Sequence, residues 1–233
     1  GEKEERHRKL CEHAEKLGDS SLVVWTNYKG IDKPRFRFDE ARNESIEHAE
    51  EAFPNVDVFF TIDMDEWMAP GWAELIKKSW DPSKHERISY SHRHYQVELP
   101  ASRNWGHARG WRWRYPCHEV MIHGYDGDIW YNHQNCLDLD SELEVVHYRD
   151  PSKPRSSYLP LLEIRWEENK HPEHITYLIR EYMYNRMYKE IISKADFVEA
   201  LCVDDGTESC MAWCVLGDAY EHEGNMEKAE WCY

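Results

Sequence analysis

The sequence predicts an α/β fold in which a mixed domain over residues 1–150 is followed by an all-α helical region over residues 151–233. The apolar run Asp57–Ile62 lies between two segments with helical spacing of apolar residues, as a β-strand flanked by helices would. From Ile88 to Tyr148 apolar and polar residues alternate, which is the period of half-buried strands. After Pro154 the spacing is helical, so the two parts differ in structural class.

The composition indicates a folded protein and disfavours nucleic acid as a partner. Aromatic residues make up 13% of the 233 residues, more than a disordered chain carries. The formal net charge is −16, whereas proteins that bind a phosphate backbone present basic faces. No apolar run reaches the roughly 20 residues of a transmembrane helix, and the charged N-terminal residues do not form a secretory signal. We therefore expect no membrane span.

The cysteines favour a reducing compartment. There are seven, an odd number, and none forms a Cys-x-x-Cys pair. A cytoplasmic location with free thiols is the simplest interpretation. Cys210 and Cys214 are four residues apart on a predicted helix, a spacing that also fits half of a zinc site, although packed free thiols explain them as well.

The first half of the chain alternates helices and strands. An amphipathic helix is predicted over residues 3–17, stopped by Gly18, and a short buried strand follows at Ser21–Thr26. A second helix is predicted over Arg42–Phe53 and ends at Pro54. A third helix is predicted to begin at Pro70, since proline is tolerated at the first helical position, and to run to about Trp80.

The second half carries a helical repeat signature. Helices are predicted over Tyr158–Glu168, Ile175–Tyr184, Tyr188–Ala200, Ser209–Glu223 and Met226–Tyr233. The segment Trp213-x-x-Leu216-Gly217-x-x-Tyr220 resembles the tetratricopeptide repeat, and Leu178, Tyr182 and Ile191 fall at matching offsets in a weaker copy. Such repeats need stacked neighbours, so we expect a protein partner or self-association here and a natural chain that continues past Tyr233.

A cluster of three carboxylates, Asp63, Asp65 and Glu66, directly follows the apolar strand. Carboxylates this close repel one another, and a hard divalent cation between them would hold them ionised. Open α/β sheets also bind ligands beyond the carboxyl ends of their strands. A solvated strand end, or an aspartate that caps the following helix, is the alternative explanation of the same residues.

Four segments together resemble the GT-A glycosyltransferases of the inverting, family-2-like type over about residues 8–233. They occur in the family's order: a segment that ends in an Arg-Asn pair, the DxD segment, a segment that ends in His-Glu-Val, and a strand end that carries a histidine. In this chain they are Phe38–Asn43, Asp63–Trp72, Trp113–Val120 and Val145–Tyr148. Many such transferases also carry a tetratricopeptide-like tail.

The resemblance implies a Rossmann-like GT-A nucleotide-sugar transferase core that transfers a sugar from a nucleotide-diphosphate sugar to an acceptor. The acceptor, a glycan, peptide or small molecule, is not specified by the sequence. Members of the family open with a β-α-β unit that binds the nucleotide base, and nothing in residues 1–26 resembles it. The chain is therefore expected to lack that unit.

The resemblance also implies site residues. Asp65 and His147 would ligate the metal, with Asp63 on the ribose or on a metal-bound water. A shell of oxygen and imidazole suits Mn²⁺ somewhat better than Mg²⁺. Glu119 would be the catalytic base of an inverting reaction, whereas a plain exposed acid is the alternative.

Four basic or polar residues are candidates for the nucleotide diphosphate. Arg42 and Asn43 are predicted to open a helix, whose N-terminus would attract phosphate, although Asn43 as a simple cap explains the pair equally well. Arg112 and Arg114 lie in a basic, aromatic segment over 103–114. We expect that segment to close over donor and acceptor; a structural strand pair and a site for single-stranded nucleic acid are the alternatives.

Three further hypotheses stay open. A helical-repeat adaptor would use the α/β part only as a folded platform, and its acidic residues and histidine would then be scattered. A metal-dependent hydrolase would use the same carboxylates to activate water. His92 and His94, two apart on a strand, would be an alternative histidine pair for a metal.

Overall fold

A computed structural model describes residues 36–63, 65–94, 101–123, 135–148, 158–170, 172–201 and 207–233, together with Glu5, Arg8, Glu12 and Tyr28. Glu5, Arg8 and Glu12 are helical, in agreement with the predicted first helix, and Arg8 pairs with both glutamates along one helix face. The rest of that helix and the predicted strand Ser21–Thr26 lie outside the described residues.

The chain divides into two compact units. The first comprises 1–32, 39–114 and 120–153, and the second comprises 33–38, 115–119 and 154–233. The first unit contains every β-strand that the structure describes, whereas the described part of the second is helical apart from short connecting segments. The α/β class is therefore confirmed, with strands and helices mixed in one unit and helices in the other.

The first unit is built on a mixed sheet of six strands. Its strands are β1 (Val58–Phe60), β2 (Glu66–Met68), β3 (Arg87–His94), β4 (Ala101–Ala108), β7 (Cys136–Asp138) and β8 (Glu144–His147). Their order is β1-β4-β3-β8-β2, and β7 pairs with the first half of β3. β3 is antiparallel to β4 but parallel to β7 and β8. The short strands predicted between Ile88 and Tyr148 are thus confirmed where the structure describes that range, while the described strands do not establish a Rossmann-like order.

One face of this sheet carries a tightly packed core. Phe60, Gly106, Ile88 and Leu137 form a row across four strands. A Cβ atom on Gly106 would lie 2.7 Å from Phe60 Cε1 and 2.9 Å from Ile88 Cβ, so only glycine fits at this position. Side chains from β2, β3, β8, the turn between β7 and β8, and the helix at Trp72–Ser79 complete the cluster: Met68, Ile76, Ile88, Tyr90, Leu139, Leu143 and Val145.

Helix α1 (Phe38–Ala52) packs against a separate hairpin of strands β5 (Trp111–Arg114) and β6 (Val120–His123). Ile46 of the helix lies in a small core with Trp111, Trp113 and Met121. The helix begins four residues before the predicted start at Arg42. Acidic side chains at Asp39 and Glu40 suit the first turn of a helix and extend it in that direction.

Helix α2 (Trp72–Ser79) begins two residues after the predicted start at Pro70. Gly71 has φ of 87°, a left-handed conformation that cannot continue a right-handed helix, and this separates Pro70 from the first helical residue. The predicted end near Trp80 is confirmed, since the Trp80 N–H donates to the Ile76 carbonyl.

The second unit consists of helices around one core. They are α3 (Leu159–Glu168), α4 (Pro172–Tyr184), α5 (Tyr188–Ile192), α6 (Ala195–Glu199), α7 (Thr207–His222) and α8 (Met226–Cys232). The prediction of one helix over Tyr188–Ala200 was wrong, because the segment breaks into α5 and α6. The Ser193 hydroxyl donates to the Glu190 carbonyl at 2.6 Å, which satisfies a helix-end carbonyl and favours the break.

Helices α7 and α8 approach closely at Gly217. A Cβ atom there would lie 2.8 Å from the Tyr233 ring and 3.2 Å from Cys232 Cβ. The repeat-signature residues Leu216 and Tyr220 are buried in the same core as Leu178 and Ile191 of the weaker copy. The helical character of this unit is confirmed, apart from the break within Tyr188–Ala200; the tetratricopeptide assignment stays a prediction. Within the described residues, no helix is long and apolar enough to cross a membrane.

Candidate functional site

The turn between β1 and β2, here called the carboxylate turn, carries the predicted Asp63 and Asp65, and Glu66 holds its shape. The Glu66 N–H donates to the Asp63 carbonyl at 3.0 Å. In return, the Asp63 N–H donates to Glu66 Oε2 at 2.9 Å. The turn is therefore closed by reciprocal hydrogen bonds between its two ends, and the backbone on either side of the two aspartates is fixed.

The other oxygen of Glu66 meets a histidine from the centre of the sheet. His92 Nε2 lies 2.8 Å from Glu66 Oε1, and each side chain is only 2% exposed. β8 lies between β2 and β3, so the pair spans the width of one strand. A buried carboxylate is costly unless its oxygens are hydrogen-bonded, and each Glu66 oxygen has a hydrogen-bond partner here.

The predicted metal ligands Asp65 and His147 lie side by side. His147 Nε2 is 3.3 Å from Asp65 Oδ2, with about a quarter of each side chain exposed. His147 comes from the end of β8, where it pairs with Glu66 in the register of the sheet. The Tyr148 N–H also donates to the Asp65 carbonyl at 2.7 Å. A carboxylate and an imidazole thus meet at the sheet edge from segments far apart in the chain.

Asp63 is held by Arg42 of helix α1. Arg42 Nη2 lies 2.9 Å from Asp63 Oδ1, and the guanidinium carbon lies 5.1 Å from the centre of the Trp113 ring. The arginine is 13% exposed and the aspartate 45%. The ion pair neutralises one carboxylate of the turn and orients it, while leaving almost half of the Asp63 side chain open to solvent.

The side chain of Asn43 hydrogen-bonds to strand β5 and does not cap a helix. Its Nδ2 donates to the Trp113 carbonyl at 2.8 Å, and its Oδ1 accepts from the Trp113 N–H at 2.7 Å. Because α1 begins at Phe38, Asn43 lies in its second turn, and the alternative of Asn43 as a helix cap was wrong. The side chain positions β5 against α1; phosphate binding by Asn43 stays a prediction.

Arg112 is bound to helix α1 as well. It donates to Glu50 Oε2 at 2.7 Å, and Glu50 also accepts from the Gly110 N–H at 2.9 Å. Burial acts to raise the pKa of Glu50, but these hydrogen bonds outweigh it and the pKa is lowered. Arg114, two residues on, is half-buried on the same face of β5. β5 pairs with β6, as the alternative of a structural strand pair predicted for part of segment 103–114.

Glu119 belongs to the second unit, as do the turn residues Tyr115–His118 that precede it. Tyr115 and His118 both have positive φ, 80° and 48°. The turn is held by Arg165 of α3, whose Nη1 donates to the carbonyls of Cys117 and His118 at 3.1 and 2.9 Å. Glu119 is half-buried, and its role as a base stays a prediction.

The donor set at Asp65 and His147 fits a divalent cation. Two neighbouring ligands of one ion lie roughly 3 Å apart when each metal–ligand bond is about 2.1 Å, which matches the observed oxygen–nitrogen separation. Mg²⁺-type sites often take one or two protein carboxylates and complete the shell with water and substrate phosphates. Among the described residues, no group of three or more histidine, cysteine, aspartate or glutamate side chains is arranged to hold a metal.

Sequence reasoning missed what supports the turn. His92 was considered as a metal ligand, whereas its Nε2 is directed at Glu66. Trp113 was noted only as part of a motif, but its ring lies under Arg42 and its Nε1–H donates to Thr61 Oγ1 at 3.4 Å. The alternation Trp-Arg-Trp-Arg in β5 was the available signal in the sequence for a core tryptophan at this position, and the structure buries both tryptophans.

Comparison with known proteins adds no assignment. No protein-family model matches this chain, and no curated protein matches it.

Proposed function

We propose that this protein is a metal-dependent glycosyltransferase that uses a nucleotide-diphosphate sugar. The observation that carries the proposal is the 3.3 Å separation of Asp65 Oδ2 and His147 Nε2. The two residues come from different strands, and the adaptor hypothesis predicted that they would be scattered. Their convergence at the carboxylate turn, beside an aspartate held by an arginine, supports a site over a passive platform.

In this proposal Asp65 and His147 hold one divalent cation, Mn²⁺ or Mg²⁺, with oxygens of the donor diphosphate and water in the remaining positions. The bound cation would stabilise the negative charge on the departing diphosphate. Asp63 keeps an exposed carboxylate for the donor's ribose or for a water on the cation.

The remaining residues position these groups. Glu66 and His92 fix the backbone of the turn, so that Asp63 and Asp65 keep their directions when the repulsion between them is not relieved by a cation. Arg42 sets the orientation of Asp63 and is itself held over Trp113. An inverting reaction with Glu119 as base, and a tetratricopeptide-like tail, belong to this proposal through the family resemblance alone.

The proposal is tested by Mn²⁺ binding and donor turnover in matched variants. Asp65→Asn removes a ligand charge at nearly constant shape, and Asp57→Asn is the control because Asp57 is exposed and precedes β1. Electron paramagnetic resonance of free Mn²⁺ should give a dissociation constant at least about tenfold weaker for Asp65→Asn and unchanged for Asp57→Asn.

A panel of nucleotide-diphosphate sugars with Mn²⁺ then separates the reaction classes. Transfer to added acceptors that exceeds release of free sugar supports a transferase. Release of sugar at the same rate with and without acceptor would instead assign a hydrolase. Equal Mn²⁺ affinity in the wild-type protein and Asp65→Asn would remove the basis of the proposal.

A further inference from the structure

Two arginines and a histidine of the second unit surround the ring of Tyr177. The His118 imidazole stacks on it, with ring centres 4.3 Å apart and planes 20° apart. The guanidinium carbons of Arg180 and Arg165 lie 5.2 and 5.5 Å from its centre. Two helices, α3 and α4, and the turn before Glu119 therefore bring three nitrogen-rich groups to one aromatic ring.

Arg165 is deeply buried, and only some of its hydrogen-bond donors have acceptors among the described residues. It is 1% exposed, and its Nη1 donates to two backbone carbonyls. Its Nε and Nη2 have no hydrogen-bond partner among the residues that the structure describes. These two nitrogens form one edge of the guanidinium, the edge that binds the paired oxygens of a carboxylate or phosphate. Burial lowers the pKa of Arg165, yet an arginine remains charged in proteins.

The positive charge is not neutralised by an ion pair. Within the described part of the chain, neither Arg165 nor Arg180 has a carboxylate within 4.0 Å, and Glu119 acts on Arg165 only over a longer range. Elsewhere in the same unit, Arg37 pairs directly with Glu168. The chain has 45 acidic and 29 basic side chains, so an anionic partner for these arginines has to come from outside the described part of the second unit.

His118 responds to this charge. Burial of the imidazole against Tyr177, followed by the fields of Arg165 and Arg180, lowers the pKa of His118 to about 4. The residue nevertheless keeps exposed surface, and the exposed Tyr158 ring lies 6.1 Å from its own. His118, Arg180 and the neighbouring Tyr158 are therefore accessible to a ligand from solvent, whereas Arg165 is buried.

We propose that His118, Arg165 and Arg180 form a binding site for an oxyanion, the phosphate or carboxylate group of a small molecule. The buried charge of Arg165 is the energetically unfavourable feature of this group, and a bound anion would compensate it. Arg180 and His118 supply donors at the surface, and the Tyr158 ring offers a face for a sugar or base attached to the anion. The site uses residues of the second unit alone, so it does not depend on the metal or on the proposed transferase activity.

The alternative is purely structural. Guanidinium groups also stack on tyrosine rings, and N–H groups directed at an aromatic face are weakly satisfied by it. Arg165 lies 4.5 Å from the centre of Tyr115 as well as beside Tyr177. In that case the group stabilises the turn before Glu119 and has no affinity for anions.

The two explanations differ in the titration of His118, followed by NMR of its imidazole protons without any divalent metal. The probes are inorganic phosphate, pyrophosphate and glucuronate. A bound anion should raise the pKa of His118 from about 4 toward its ordinary value, because it offsets the field of the two arginines. Preference for pyrophosphate identifies a diphosphate group and preference for glucuronate a carboxylate; either supports the site. A pKa of His118 that stays near 4 with every probe, together with no heat of binding in isothermal titration, overturns the proposal.

Isothermal titration with the tightest probe adds a matched pair of variants. Arg180→Gln removes a half-buried arginine, and Lys189→Gln removes an exposed cation from α5 of the same unit. Arg180→Gln should weaken binding about tenfold or more, while Lys189→Gln should leave it unchanged. Equal losses in the two variants would mean that the anion responds to net charge alone, and the proposed site would be rejected. Circular dichroism of both proteins checks that they are folded.

Discussion

His92 Nε2 lies 2.8 Å from Glu66 Oε1 beneath the carboxylate turn, and both side chains are almost fully enclosed by protein. The second oxygen of the same carboxylate accepts the Asp63 N–H. A histidine of the central strand thus acts, through one glutamate, on the backbone of the residues proposed to face a cation. The direction of Asp63 and Asp65 depends on a contact that neither of them makes.

Removing one member of the buried His92–Glu66 pair should destabilise the protein strongly. His92→Leu leaves Glu66 without this partner at a buried position, and we expect the free energy of unfolding to fall by about 3 kcal/mol. His92→Gln keeps a side-chain N–H near the same place and should restore part of the loss. Urea denaturation measures the free energy of unfolding of both variants, and the dependence of that free energy on urea concentration should be the same as in the wild-type protein. If glutamine were as destabilising as leucine, the hydrogen bond to Glu66 would not be the reason for the loss.

Asn43 offers a second test, because it binds the Trp113 backbone through both atoms of its amide. Asn43→Ala removes both hydrogen bonds and should cost about 2 kcal/mol, since a backbone donor and acceptor lose their partner. Asn43→Asp keeps only the acceptor and should fall between. Ser45→Ala, at an exposed position on the same helix, is the control and should change stability little. Equal stability of Asn43→Ala and Ser45→Ala would show that solvent replaces both bonds.

The elements that sequence predicts well are those with a strong local signal. Ile88–His92 alternates in polarity and Val145–Val146 is a pair of β-branched residues, and both segments lie in strands, β3 and β8. The pairing of β8 between β2 and β3, which brings His147 to Asp65, depends on residues that are distant in the chain. The family resemblance, rather than any periodicity, suggested that contact.

The start of helix α1 had a direct consequence for a candidate residue. A helix that began at Arg42 would have placed Asn43 at its N-terminus, where both a cap and a phosphate ligand are plausible. With the start at Phe38, the same side chain faces the strand β5. The ends of a helix depend on a few capping interactions, which leave only a weak signal in the sequence. The error in the start of α1 therefore changed the role that was expected of Asn43.

Gly106 should tolerate no side chain. Gly106→Ala would place a Cβ atom 2.7 Å from Phe60 Cε1 and 2.9 Å from Ile88 Cβ, and we expect a loss of about 1–3 kcal/mol from overpacking. In a Phe60→Leu background the alanine should cost less, because the ring that it meets is gone. Thermal denaturation of the four proteins gives the coupling between the two positions. Additive effects would contradict the close contact.

The pH dependence of stability should carry a signature of His118. Burial and the two neighbouring arginines lower its pKa from 6.5 to about 4 in the folded protein. In the unfolded chain His118 is protonated below about pH 6.5, whereas in the folded protein it is protonated only below about pH 4. The stabilising contribution is complete above pH 6.5 and is lost progressively as the pH falls through this window.

Replacement of His118 by asparagine removes the titrating group and suits the backbone, since asparagine tolerates the positive φ of 48° found there. Between pH 6.5 and 4, urea denaturation should show a shallower fall of stability for His118→Asn than for the wild-type protein. His222→Asn, at an exposed histidine of the same unit, is the matched control. A slope unchanged by His118→Asn would mean that the imidazole takes up its proton as easily in the folded protein as in the unfolded chain.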